Sequence, residues 1–293
     1  ILTARLWGRM GPQQRSGACA FRDQLQDVLP LCVGLPALAR RQILLHVSQQ
    51  FHTGDVLSWW HPVSDEAVGW GMRSRDSESH LWLPYLVAHY GAITGDDSIW
   101  DELVPFVEAQ TMPSGAEGIV FAPVASCDRA TVLEHCLRAV ERTWRRRGRH
   151  GLPRMLVRDG NDGLSAVGVE GNGESVWLGF FLYSTLRQVA HAAASRGRVD
   201  VSRQLLRRIR SLAQALQTAW RGDHFLCAVT DAGQELDYCD ALTAAWPILS
   251  GAVDSAQAEE ALMCGVAFLE KPNVEQLLDP SFTDRSTAYA GCI

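Results

Sequence analysis

The chain has 293 residues, 47% of them hydrophobic, and a formal net charge of −6. That length can bury one large core or two ordinary ones. No run of about 18 uncharged apolar residues occurs, so nothing reads as a membrane span. The overall acidity argues against a nucleic-acid surface.

The opening ILTARLWGRM is not a signal peptide, because Arg5 and Arg9 interrupt its apolar run and no cleavage site follows. The chain does not start with Met and is expected to be part of a larger polypeptide. A polar loop, SGACAFRDQLQD (16–27), precedes a predicted helix over 42–51. A second polar, Trp-rich loop (58–84) leads into a predicted helix over 81–94. A strand signal at 118–124 is followed by a predicted helix over 131–144, with Ser126 and Asp128 as candidate N-caps. The run ERTWRRRGRHG (141–151) reads as a solvated helix end with cations near its C-terminus. A glycine-rich loop, VRDGNDGLSAVGVEGNGES (157–175), precedes predicted helices over 175–195 and 201–220, the second with Asp200 as candidate N-cap. A weak strand signal (224–230), a polar loop (230–246) and a predicted helix over 256–268 follow. Gly54, Gly95, Gly148, Gly197 and Gly222 sit where helix stops are expected. This pattern predicts an all-α architecture with functional loops at one end.

The eight cysteines form no CxxC or other tight pair, which argues against a zinc site and suits reduced thiols in a cytoplasmic segment. The loops mix Trp and Phe with Arg, Asp, Glu and His. Such a mixture stacks on sugar rings and bonds their hydroxyls, although Trp in loops serves interhelical packing equally well.

Several stretches stand in the order and spacing of one family: SGACAFRDQLQDVLPL, HTGDVLSWWHP, LWLPYLVAHYGAITGDDSIWDELVPF, HGLPRMLVRDGNDGL and GESVWLGFFL. The chain resembles the inverting glycoside phosphorylases of family 94, the cellobiose and chitobiose phosphorylases. Within that family it is most similar to the C-terminal phosphorylase domain of cyclic β-1,2-glucan synthases. The resemblance implies that residues 1–293 form a single, partial (α/α)6 barrel, incomplete at its C-terminal end and lacking the family's N-terminal β-sandwich. It implies no cofactor, with inorganic phosphate as co-substrate and a β-glucan oligosaccharide as partner. It implies no direct membrane contact by this segment, although the parent protein would have room for an inner-membrane anchor.

The family's general acid is the second Asp of a DWND motif, which reads Asp159-Gly160-Asn161-Asp162 here, so the resemblance implies Asp162 as the acid. One carboxyl group suffices because phosphate is already an anionic nucleophile. Arg22, Asp23 and Asp27 match FRDxxxD beside the scissile bond, and an ion pair at a helix start is the plainer reading of Arg22 and Asp23. Trp59, Trp60 and His61 match WWHP as structural and subsite-shaping residues; Arg73 and Arg75 match a basic segment; Asn161 and Asp240 keep their motif places. Glu134, His135 and Glu174 fit structural roles about as well as substrate contacts.

Four departures stand out. The motif Trp is Gly160, Ser-Asp-Asp is Ser77-Glu78-Ser79, and Glu-Cys-Arg-Ile-Asp reads Leu236-Asp237-Tyr238-Cys239-Asp240. The resemblance also places phosphate-binding segments beyond STAYAGCI, so the chain alone is expected to show no phosphorolysis. The alternatives are an inactive glucan-binding or scaffold remnant, and an inverting glycosidase using Asp240 or Glu78 as a second carboxylate.

Overall fold

Helices form near most of the predicted stretches, although the one expected over 42–51 spans 36–47 and ends at Ser48, and strands form that the periodicity does not predict. The structure, a computed structural model, describes residues 5–6, 17–62, 68–108, 110–161, 164–272, 274–276 and 278–279. Asp162, the expected acid, lies outside the described residues. The helices are α1 (Phe21–Val28), α2 (Leu31–Gly34), α3 (Pro36–Val47), α4 (Trp82–Thr94), α5 (Val132–Arg145), α6 (Val176–Ser195), α7 (Val199–Gln217), α8 (Ala241–Ser250) and α9 (Ser255–Leu269). No helix among the described residues is long and apolar enough to cross a membrane.

The expectation of an all-α chain needs correction. Strands β1 (Cys19–Ala20), β2 (Leu57–Pro62), β3 (Val68–Ser74), β4 (Leu103–Glu108), β5 (Gly118–Phe121) and β6 (Val124–Thr131) build a sheet in the order β1-β2-β3-β5 and a separate β4-β6 pair. The β2 and β3 strands escape a period-2 reading because their register shifts at Leu57/Trp59 and His61/Pro62. These irregularities break the alternation of buried and exposed residues that marks a regular strand. Strand β6 is mostly exposed and polar, so it carries no hydrophobic signal. The architecture is helix-rich with small antiparallel sheets.

Two helices also begin within stretches read as loops. Helix α1 has only eight residues. Helix α8, ALTAAWPILS, is nearly all apolar and contains Pro247, so it has no polar face to give a 3.6-residue period. The N-caps shift too. Ser126 and Asp128 lie in β6, and Thr131 Oγ1 accepts the Glu134 N–H at 3.2 Å instead. Asp200 lies in the first turn of α7 rather than at its cap. At the end of α4, Gly95 takes φ +72°, and its N–H closes on Gly91 O, as a left-handed C-cap should.

The chain divides into two compact units. The first comprises Ile1–Arg75, Ser79–Arg142 and His191–Gly197. Its core includes Phe21, Leu25, Ile43, Phe51, Leu57, Trp60, Leu83 and Phe106, all nearly solvent-free. The second comprises Asp76–Glu78, Thr143–Ala190 and Arg198–Ile293. There Phe180, Phe181, Leu212, Leu216 and Phe225 are buried, and Gly265 lets α9 approach α8 so closely that a Cβ would lie 2.5 Å from Ala244 Cβ. The basic run ends on an aromatic face: the guanidinium of Arg147 lies 3.4 Å and that of Arg208 5.1 Å from the Trp144 ring centroid.

Candidate active site

In the second unit, the chain leading to Asp162 is held from beneath. Asp159 is fully buried. Its Oδ1 accepts the Asn161 N–H at 3.0 Å, and its Oδ2 accepts the indole N–H of Trp177, at the start of α6, at 2.8 Å. The Asn161 side chain donates to Asp240 Oδ2 at 3.0 Å. Asp240 caps α8 by accepting the Leu242 N–H at 2.8 Å, and Cys227 Sγ lies 3.1 Å from its Oδ2. Three of the four DWND-type positions are thus described, and two of them join one buried network with Asp240.

No cation enters this network among its described contacts. Burial pushes the Asp159 carboxyl up to about 6, and the nearby Asp240 adds to that rise. Burial likewise pushes Asp240 up to about 6. A carboxyl group in such surroundings holds its proton toward neutral pH. Asp240 is already committed to a helix cap and to Asn161, which fits holding the loop better than activating water.

The remainder of the loop explains its glycines. Asp231 Oδ1 accepts the N–H groups of Asn172 and Gly173 at 2.7 and 2.8 Å, and its Oδ2 accepts that of Glu170 at 2.8 Å. A Cβ at Gly173 would sit 2.6 Å from Val167 O, so only glycine lets the loop fold back this tightly. Beneath it, Met155, Leu164, Val167, Cys227, Ala228 and Leu236 form a small apolar core. The sequence reading missed Asp231; its place in the Thr-Asp-Ala-Gly turn after the strand signal was the available cue. Glu174 is buried and accepts from the His150 and Leu152 N–H groups at 3.2 and 3.1 Å, so it anchors the turn at 148–152.

Gly160, where the family has Trp, takes φ +89°. A Trp held at this backbone conformation would be strained, because side-chain-bearing residues rarely adopt it. Nearby Leu156 is the only non-glycine residue with positive φ among the described residues, at +55°.

In the first unit, the FRDxxxD aspartates gather around Arg5. Arg5 Nε and Nη2 contact the two oxygens of Asp27 at 2.9 and 2.8 Å, and Nη1 lies 3.4 Å from Asp23 Oδ1. Arg22 Nε lies 3.3 Å from the same Asp23 oxygen, the ion pair of the plainer reading. Burial opposes ionisation of Asp27, but its bonds to Arg5 outweigh this and hold the carboxyl below its ordinary range. Trp60 is buried, with its ring edge-on to His46 at 5.1 Å. Arg75 donates to Pro113 O at 3.0 Å. Arg73 pairs with buried Asp55 at 2.7 Å and lies over Phe51, beside a cavity of about 490 Å³ lined by Thr53, Gln110 and Met112 among others. The two rings of His135 and Phe106 stack at 4.1 Å, and the histidine nitrogens face Gln50 Oε1 and Val104 O, so it is a core residue.

Residues 1–291 match the glycosyl hydrolase 94 superfamily catalytic domain, and the chain belongs to that family. It is 38% identical to cyclic beta-(1,2)-glucan synthase NdvB of Rhizobium meliloti (strain 1021), over 97% of this chain and 10% of that protein. It is 29% identical to solabiose phosphorylase of Paenibacillus borealis, over 92% of this chain and 33% of that protein. To N,N'-diacetylchitobiose phosphorylase of Vibrio furnissii it is 23% identical, over 96% of this chain and 36% of that protein. The chain therefore spans between a tenth and about a third of these relatives. Among solved structures, a rhamnosidase from Klebsiella oxytoca with rhamnose bound superposes with a TM-score of 0.62 at 15% identity, over 92% of this chain and 44% of that one, a likeness of fold alone.

Proposed function

We propose that the chain is part of a glycoside phosphorylase catalytic domain acting on a β-glucan, a β-1,2-glucan in the first instance, within an (α/α)6 barrel. The observation that supports this best is the buried Asp159–Asn161–Asp240 network, which fixes the chain immediately before Asp162. In this reading Asp162 gives its proton to the glycosidic oxygen as that C–O bond breaks. Phosphate attacks the anomeric carbon from the opposite face, and its oxygen forms the new bond. The products are an α-linked sugar 1-phosphate and a shortened glucan bearing the proton. Asp159 and Asp240 transfer no proton; they hold the loop. The family resemblance assigns Arg22, Asp23 and Asp27 to sugar binding; within the first unit Arg5 keeps Asp27 in place and Trp60 is a buried supporting residue. Membership of family 94 and relatives named as phosphorylases support the reaction class, while the NdvB likeness supports the linkage.

Gly160 favours a second reading, a domain that holds glucan without turning it over, because the aromatic wall beside the acid is missing. The test is to incubate the full gene product with β-1,2-glucan, with and without phosphate, and identify the sugar released. Phosphate-dependent α-glucose 1-phosphate supports the first reading. Binding without product supports the second, and phosphate-independent release of glucose points to hydrolysis.

A further inference from the structure

Outside the acid loop, Asp223, His224 and Cys264 bring a carboxylate oxygen, an imidazole nitrogen and a thiol sulfur within 4.8 Å of one another. Both elements that carry them are held in place. Asp223 and His224 sit in a turn closed by the Arg221 N–H on His224 O at 2.9 Å and by the Trp220–Phe225 bridge, with Gly222 at φ +100°. Cys264 stands on α9, which Gly265 seats against α8.

The His224 ring carries a second clue. Its Nδ1 lies 2.6 Å from Asp223 Oδ1 and its Nε2 lies 2.7 Å from Asp237 Oδ1. A neutral imidazole has one N–H and can donate to only one of these carboxylates. With its Nε2–H on Asp237, the ring turns Nδ1 toward the side where Asp223 and Cys264 stand, the orientation of a ligating imidazole; an ion there would draw Nδ1 and Asp223 Oδ1 apart from their present 2.6 Å to roughly 3 Å. A thiol sulfur beside the same carboxylate makes the ion chemically apt, since thiolate and imidazole together suit zinc.

We propose that Asp223, His224 and Cys264 form a binding site for a zinc-class divalent cation, with Asp237 accepting the N–H of the ring nitrogen that does not ligate. An imidazole whose second nitrogen is oriented by a carboxylate is the usual support for such an ion. Binding displaces the Cys264 thiol proton, and the second imidazole proton where present, to solvent. The ion ties the 221–224 turn to α9. Cys239, hydrogen-bonded to Cys264, sits next to Asp240, so the clamp adjoins the residue that caps α8.

The probe is Co²⁺, added to chelator-treated protein, with Zn²⁺ as competitor. The expected result is a thiolate-to-cobalt charge-transfer band in the near ultraviolet that Zn²⁺ abolishes. Cys264→Ser removes the band, while Cys127→Ser, at an exposed thiol, leaves it unchanged. Asp237→Asn keeps the band but weakens affinity by roughly 10–100-fold. Zn²⁺ raises the unfolding midpoint of the parent protein but not that of Cys264→Ser. Circular dichroism confirms that each variant is folded, and His224→Gln replaces Cys264→Ser should that variant not fold. The proposal is overturned if the parent protein shows no band, if the band survives Cys264→Ser or His224→Gln, or if it depends on Cys127.

Discussion

Asp55 and Asp159 are both buried aspartates, one in each compact unit, and their surroundings drive them in opposite directions. Asp55 faces two arginines: Arg73 Nε at 2.7 Å and Arg142 Nη2 at 3.2 Å. Burial alone would raise its pKa, but the arginines outweigh this and leave it lowered. Asp159 is buried among an indole N–H, a backbone N–H and a second carboxyl group, and it is pushed up to about 6. The first arrangement is a structural ion network. The second has no cation among its described contacts, so its carboxyl group titrates closer to neutral pH. Burial therefore does not decide a carboxyl group's role; the charge of its neighbours does.

Removing the carboxylate should separate the two most strongly. Asp55→Ala leaves Arg73 and Arg142 short of their common partner in a site where all three side chains are at most 12% exposed. A loss of roughly 3–5 kcal/mol is expected, read as a lower denaturant midpoint. A loss under about 1 kcal/mol would show that the network is solvated.

The next effect is one of pH. Asp159 has a folded pKa above its unfolded value of about 3.9, so its contribution is present below about pH 4 and is lost as pH rises toward 6. Asp55 has the opposite sign: its contribution is present above about pH 4 and is lost as pH falls through its lowered folded value. Asp159→Asn should therefore flatten the fall in stability between pH 4 and 7, by at most about 3 kcal/mol. Urea unfolding at both pH values checks this, and an unchanged slope would contradict it.

Gly160→Ala asks how firmly the loop backbone is set. At φ +89° an added Cβ should cost roughly 1–2 kcal/mol. The smallest effect belongs to Asp200, whose pair with Arg203 is 99% and 67% exposed. Asp200→Ala should leave the melting temperature unchanged within error, because such pairs contribute little.

Much of this was legible in the sequence. Periodicity located α4, α5, α6, α7 and α9, whose faces are amphipathic or whose ends carry glycine. It missed α8, where Trp246 and Pro247 replace any polar face, and β2, where register shifts hide the alternation. Motif matching found Asn161 and Asp240 but not the bond between them, because 79 residues separate the two. It also missed Arg5 and Asp231, since a partner distant in sequence leaves no local pattern. Trp60 and His135 carried no cue to how deeply they are buried; that depends on which helices and strands cover them.

The measurement closest to the central claim compares two substitutions three positions apart in one loop. In the full gene product, phosphate-dependent release of α-glucose 1-phosphate from β-1,2-glucan should fall by roughly 10²–10⁴-fold in Asp162→Asn, which keeps the shape and removes the transferable proton. Asp159→Asn should retain most of the activity, because the network it belongs to holds the loop without donating to substrate. If Asp159→Asn lost the activity and Asp162→Asn kept it, the buried aspartate would be the acid and the account would be wrong.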